Sequence, residues 1–116
     1  MVKRKILVID DEVDFGFLMR RFFVAKNFEV FIALNLADGM RMLKEEKPDI
    51  LFLDNNLPDG MGWKETAYII MNYPLMQLNL ISALHVPEKS TATFRILEKP
   101  LSWDVMNEVC DTRLAG

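Results

Sequence analysis

The sequence predicts an α/β protein: a doubly wound parallel sheet of five strands with helices on both faces. Three observations carry that expectation. Short apolar runs alternate with helix-spaced apolar patterns five times, as strands joined by right-handed crossovers do. The runs at 6–9 and 50–53 have no polar break, which suits strands buried on both faces. Both runs then meet aspartates, at the strand ends where open α/β sheets place their ligands. For five strands the commonest order is 2-1-3-4-5, with strands one and three central.

Ile6-Leu7-Val8-Ile9 is rich in β-branched residues and reads as strand one, ending in Asp10-Asp11-Glu12. Phe15, Leu18, Met19 and Phe22 keep helical spacing behind Asp14, a candidate N-cap. Residues 29–33 read as strand two. Asn35 is placed to cap a second helix with Leu36, Met40 and Leu43 inward, which Pro48 closes. Strand three, 50–53, runs into Asp54 and the turn-forming Asn55-Asn56-Leu57-Pro58-Asp59-Gly60. Gly60 and Gly62 loosen the turn before a third helix at 63–71, ended by Pro74. Residues 78–81 read as strand four, ending at Ser82-Ala83. Asn79 interrupts that run, and nothing in the sequence accounts for it. Pro87 can open a short fourth helix. Residues 94–97 form strand five, where Arg95 and Glu98 suit a sheet edge. Lys99-Pro100 turns into a last helix capped by Ser102, with Met106, Val109 and Cys110 inward, and 114–116 read as a loose end.

Composition bounds the rest. A chain of 116 residues, 51% apolar and 27% charged, is read as one domain over 1–116 with a core of its own. The lone Cys110 excludes an internal disulfide and a cysteine metal site, and points to a reducing compartment. No apolar run is long enough for a membrane span, and the basic start leads into too short an apolar run for a signal peptide. Net charge is −3, with no basic cluster beyond Lys3-Arg4-Lys5, so no nucleic-acid footprint is expected. The expectation is a cytoplasmic protein without membrane contact.

If the strands are parallel, their carboxyl ends share one rim. Strand one delivers Asp10 and Asp11 there, strand three Asp54, strand four Ser82 and strand five Lys99. Packed carboxylates repel and raise a pKa unless a cation sits among them. Mg²⁺ suits such a site, being held by one or two carboxylates, water and phosphate. A carboxylate nucleophile, a metal, a lysine and a hydroxyl are the parts of phosphoryl transfer. Each residue has an ordinary alternative: helix-capping acids, a loop hydroxyl, an exposed lysine. Five matching residue types at four strand ends are far harder to obtain by accident.

Ile-Leu-Val-Ile-Asp-Asp-Glu, Pro-Asp-Ile-Leu-Phe-Leu-Asp-Asn-Asn-Leu-Pro-Asp-Gly, Leu-Ile-Ser-Ala and Leu-Glu-Lys-Pro together resemble the receiver domain of two-component response regulators, from Lys5 to about Arg113. The resemblance implies the flavodoxin-like strand order and a phosphoryl group accepted on Asp54 from a histidine kinase or phosphotransfer protein. It implies Mg²⁺ on Asp11, Asp54 and the main-chain carbonyl of Asn56, with Asp10 helping through water. Ser82 and Lys99 would hold the phosphoryl oxygens, small Ala83 would keep the approach open, and the Lys99–Pro100 bond would often be cis. Output would leave through the face of the fourth helix, fifth strand and last helix, toward an effector domain, a partner protein or a second copy. Two departures bear on that face. Ile96 stands where the family usually has Tyr or Phe, and the Ser82-to-Lys99 interval is several residues short, so a truncated or irregular helix four is expected.

Three functions compete. A phosphorylatable switch, which catalyses its own aspartyl phosphorylation and dephosphorylation, is favoured by the acidic rim. A receiver-fold interaction module that acts regardless of phosphorylation is favoured by the altered output face. An independent aspartate-nucleophile phosphatase needs a general acid near Asp54, and Asn56 cannot serve as one.

Overall fold

In the computed structural model, which describes residues 2–111, β1 (Lys5–Ile9) leads to α1 (Val13–Ala25), β2 (Glu29–Ala33), α2 (Leu36–Glu46) and β3 (Ile50–Asp54). A small hairpin follows, β4 (Asn56–Leu57) with β5 (Gly60–Met61), then a 3₁₀ turn (Gly62–Glu65) and α3 (Thr66–Asn72). The chain continues as β6 (Gln77–Ser82), β7 (Lys89–Ser90), β8 (Phe94–Glu98) and α4 (Trp103–Asp111). The main sheet has the order β2-β1-β3-β6-β8-β7. Its first five strands are parallel, so β6 and β8 are the fourth and fifth strands of the expected 2-1-3-4-5 order. The expected loose end at 114–116 lies outside the described residues.

Strand alternation builds two apolar layers. Ile6, Val8, Ile50, Phe52, Ile81 and Leu97 face α1 and α4, meeting Met19, Phe23, Met106 and Val109. Leu7, Ile9, Leu51, Leu53, Leu78 and Leu80 face α2 and α3, meeting Leu43 and Ile69. A Cβ at Gly39 would come within 2.5 Å of the Ile9 side chain, so glycine there is what lets α2 lie close on β1. Caps hold the helix starts where expected in two cases: the Asn35 side chain accepts from the Asp38 amide at 2.8 Å, and Ser102 Oγ accepts from the Val105 amide at 3.1 Å.

Asn79 is fully buried in β6. Its Nδ2 donates to Leu51 O at 3.3 Å, whereas its Oδ1 has no partner. It occupies the α1/α4 side of the sheet, in register with Phe52 and Arg95.

Several expectations are corrected. Asp14 is not the cap of α1: Glu12 holds that position without a side-chain bond, and Asp14 lies in the first turn. Leu18 faces outward, at 42% exposure. The third helix begins as a 3₁₀ turn and becomes α-helical only at Thr66. There is no fourth helix at Pro87. The segment 83–93 forms an extended strap whose Lys89 and Ser90 pair antiparallel with Ile96 and Arg95, covering the edge that strand five was expected to present. Sequence chemistry explains the strap. A helix this short is marginal in water, and Ser and Thr side chains compete for backbone groups. Thr91 does so here: its hydroxyl donates to Phe94 O at 2.9 Å and accepts from the Thr93 and Phe94 amides. The face expected for output therefore has a strap in place of its first helix.

Candidate functional site at the carboxyl rim

Asp10, Asp54 and Lys99 each follow by two residues an apolar side chain of the α1/α4 layer, namely Val8, Phe52 and Leu97. The period of a strand thus aims all three to the same side of the rim. Asp10 is fully buried, and Asp54 and Ser82 are each 4% exposed; Asp11 and Asn56 are exposed. Carboxylate oxygens of Asp10, Asp11 and Asp54 lie within 4.8 Å of one another. Lys99 Nζ donates to Asp10 Oδ2 at 2.7 Å and to Glu12 Oε1, and stands 3.7 Å from Asp54 Oδ1. Its ammonium also sits 4.9 Å from the centre of the Phe15 ring. The Lys99–Pro100 peptide is cis, as expected.

Ser82 ends the neighbouring strand β6, one residue past Ile81, the register partner of Asp54. The Lys99 amide donates to Ser82 O at 2.8 Å, which ties the two strand ends together. Ser82 Oγ accepts from the Leu84 amide at 3.1 Å, so the hydroxyl proton is left for another acceptor. Asn56 opens the β4–β5 hairpin just past Asp54, paired with Met61.

Burial pushes the Asp54 carboxyl up to about 6, aided by the negative charge of Asp10 and opposed by Lys99. Burial raises Asp10 as well, against its bonds from Lys99 and the Glu12 amide. Burial alone would lower Lys99, but its bonds to Asp10 and Glu12 outweigh that and leave it raised, hence firmly charged. The rim is thus a crowded set of hard oxygen donors with, among the described residues, one ammonium, that of Lys99, set between them. That donor set fits an oxygen-seeking divalent cation.

Four supporting residues were not among the site residues expected from the sequence. Glu12 shares Lys99 with Asp10, and its place in the Asp-Asp-Glu run was the available signal. Asp59 accepts from the Leu36 and Ala37 amides at 2.7 and 2.9 Å, binding the turn after Asp54 to the start of α2. A Cβ at Gly62 would fall 2.2 Å from Asp54 O, so only glycine lets the chain pass there. Trp63 Nε1 donates to Leu53 O at 3.1 Å, fixing the backbone next to Asp54.

Comparison with known proteins decides the family. The sequence profile of the response regulator receiver domain matches residues 6–107. The chain belongs to this family. As a receiver domain of a two-component system, it is 26% identical to the response regulator protein PilR of Pseudomonas aeruginosa over 98% of its length. It is 29% identical, over 53% of its length, to the sporulation initiation phosphotransferase F of Bacillus subtilis. The chain spans 27% of the first relative and 50% of the second. Solved receiver structures share its fold. A Burkholderia pseudomallei response regulator with a phosphorylated aspartic acid and a calcium ion superposes with TM-score 0.77 at 20% identity, covering 95% of this chain and 68% of the other. TrrA of Thermotoga maritima, in complex with Mg²⁺ and BeF, gives 0.76 at 20% identity over 91% and 95%. No helix among the described residues is long and apolar enough to cross a membrane.

Proposed function

We propose that this receiver domain, read as one unit over 1–116, is a phosphorylation-controlled switch with Asp54 as the phosphoryl acceptor. The observation that supports this best is the nearly buried Asp54 carboxylate, grouped with Asp10 and Asp11 and standing 3.7 Å from Lys99. With a pKa of about 6, Asp54 is roughly ten-to-one ionised at pH 7 and available as a nucleophile. Its oxygen attacks the phosphorus of a phosphohistidine on a histidine kinase or phosphotransfer protein. The P–N bond breaks as the O–P bond forms, and the electron pair leaves with the imidazole. Lys99, already charged, can reach the new phosphoryl oxygens from its place beside Asp54, and the free Ser82 proton can bond another. Hydrolysis of the acyl phosphate resets the switch.

Asp10, Asp11, Asp54 and the Asn56 carbonyl would hold Mg²⁺, whose chemistry is to neutralise the anionic oxygens gathered at the rim. Bound Ca²⁺ or Mg²⁺ in the neighbouring structures supports this reading. Output would pass through the strap, β8 and α4 to an effector domain or partner protein. The missing fourth helix favours a second reading, an interaction module indifferent to phosphorylation.

A thermal shift with the phosphoryl mimic beryllium fluoride separates the two. The switch requires a rise in Tm with Mg²⁺ and beryllium fluoride together, absent in Asp54→Asn and reduced in Asp11→Ala. No shift in the wild type leaves the interaction module.

A further inference from the structure

The basic start of the chain, Lys3-Arg4-Lys5, takes no part in the acidic rim and lies at the other end of the sheet, where the parallel strands begin. Lys5 turns to the α2 side and pairs with Glu46 at 3.3 Å. Arg4, two residues before Ile6, turns to the α1/α4 side, as the period of a strand requires. Its guanidinium lies over Phe28, 5.4 Å from the centre of the ring. There it borders a hollow of about 440 Å³ with Lys3, Lys26, Asn27, Cys110 and Asp111.

Charge in this hollow is unbalanced. Lys3, Arg4 and Lys26 stand against the single carboxylate of Asp111. None of the four is in an ion pair among the described residues. Glu29 does not redress the balance. Its neighbours Phe28 and Val30 face the α1/α4 layer, so its own side chain points to the other side of the sheet. Burial raises the Cys110 thiol, which therefore adds no negative charge at neutral pH. The end of α1 adds little, because Phe23 O and Val24 O already accept from the Lys26, Asn27 and Phe28 amides. Arg4 Nη2 is shut off from solvent and has no hydrogen-bond partner among the described residues. A charged donor in that state gains from any acceptor that a small turn of the guanidinium can reach.

We infer that this hollow is an anion site whose ligand is a dianionic phosphate group, free or as a monoester. A phosphate group carries close to two negative charges at neutral pH, which matches the excess of cations over acid here. Its oxygens can accept from a guanidinium and two ammoniums together, whereas a carboxylate would leave the hollow positive. Val2 and Phe28 supply an apolar wall for the organic part of an ester. The patch is too small for a nucleic acid, whose backbone needs phosphate contacts along its length. The site stands apart from the rim around Asp54 and does not depend on how that rim is read.

Amide NMR of the isotope-labelled intact chain tests this, with inorganic phosphate titrated at constant ionic strength in metal-free buffer just above neutral pH. Saturable shifts should centre on the amides of Arg4, Asn27 and Phe28, and leave Asp10, Asp54 and Ser82 unmoved. Arg4→Gln should abolish them, and Lys26→Gln, at an exposed position, should weaken binding several-fold. Lys44→Gln, exposed on α2, should bind like wild type, and Asp111→Asn should bind more tightly because a competing acid is gone. Circular dichroism checks folding, and Lys26→Gln carries the test should Arg4→Gln unfold. Adenosine monophosphate in a parallel titration separates the two sources: tighter binding than inorganic phosphate, with shifts reaching Val2, assigns an ester, and weaker binding assigns the free ion. Shifts that never saturate with either probe would overturn the inference. So would shifts centred on the rim, or a loss in Lys44→Gln equal to that in Lys26→Gln.

Discussion

Lys99 Nζ is bonded to Asp10 Oδ2 at 2.7 Å and stands a full ångström farther, at 3.7 Å, from Asp54 Oδ1. The lysine is therefore held by the innermost carboxylate while the proposed nucleophile keeps its lone pairs free. Asp10 and the Lys99 side chain are both buried, so removing one partner strands the other. Lys99→Ala should cost about 3–5 kcal/mol in chelator-treated protein, as breaking one side of a buried pair does. Denaturant midpoints measure it, and added Mg²⁺ should recover part of the loss. A cost below about 1 kcal/mol would mean that Asp10 does not depend on Lys99.

The raised Asp54 makes a pH prediction. Its folded-state value, about 6, lies above the ordinary 3.8. The folded state thus binds that proton more tightly, so the contribution to stability is full below about pH 4 and is lost as pH rises through 6. At pH 7 without metal the ionised group opposes folding, by roughly 1–3 kcal/mol. Asp54→Asn should accordingly melt higher than wild type in EDTA at pH 7, with the gap closing toward pH 4. A gap that is constant across this range would contradict the shift.

Asn79 is a buried amide with one weak bond and one unpartnered oxygen. Replacing it with Leu, apolar and of similar size, should raise stability by about 1 kcal/mol, because the desolvation cost of the amide disappears. Chemical denaturation checks this. A loss of stability would show that the amide is satisfied in solution.

Thr91 closes the turn between the strap and β8 through its hydroxyl. Thr91→Ala should loosen it, costing about 1 kcal/mol locally and speeding hydrogen exchange at Thr93 and Phe94. Exchange in α2, across the sheet, should be unchanged. Equal protection in both proteins would place the strap's stability in its main-chain pairing alone.

These residues also mark what was legible in the sequence. The five parallel strands and the acidic rim were, because Ile6 to Ile9 and Ile50 to Leu53 are unbroken apolar runs that end in aspartates. Asn35 and Ser102 announced their caps because capping is local chemistry. The strap was not legible. Pro87 is a good helix start, and it is overridden by the Thr91 hydroxyl's backbone bonds together with the long-range pairing of Lys89 and Ser90 with β8. Leu18 keeps the spacing of a core residue yet faces outward, since periodicity cannot tell the centre of a helix's buried stripe from its exposed flank. The roles of Glu12, Asp59 and Trp63 depend on contacts between separate elements, which one-dimensional spacing does not encode.

The central claim is that Asp54 carries the phosphoryl group. Intact-mass measurement after incubation with acetyl phosphate and Mg²⁺ tests it most directly. Wild type should gain a single phosphoryl group, with EDTA suppressing the gain and Asp54→Asn abolishing it. A phosphoryl group on folded Asp54→Asn, or none on the wild type, would contradict the account.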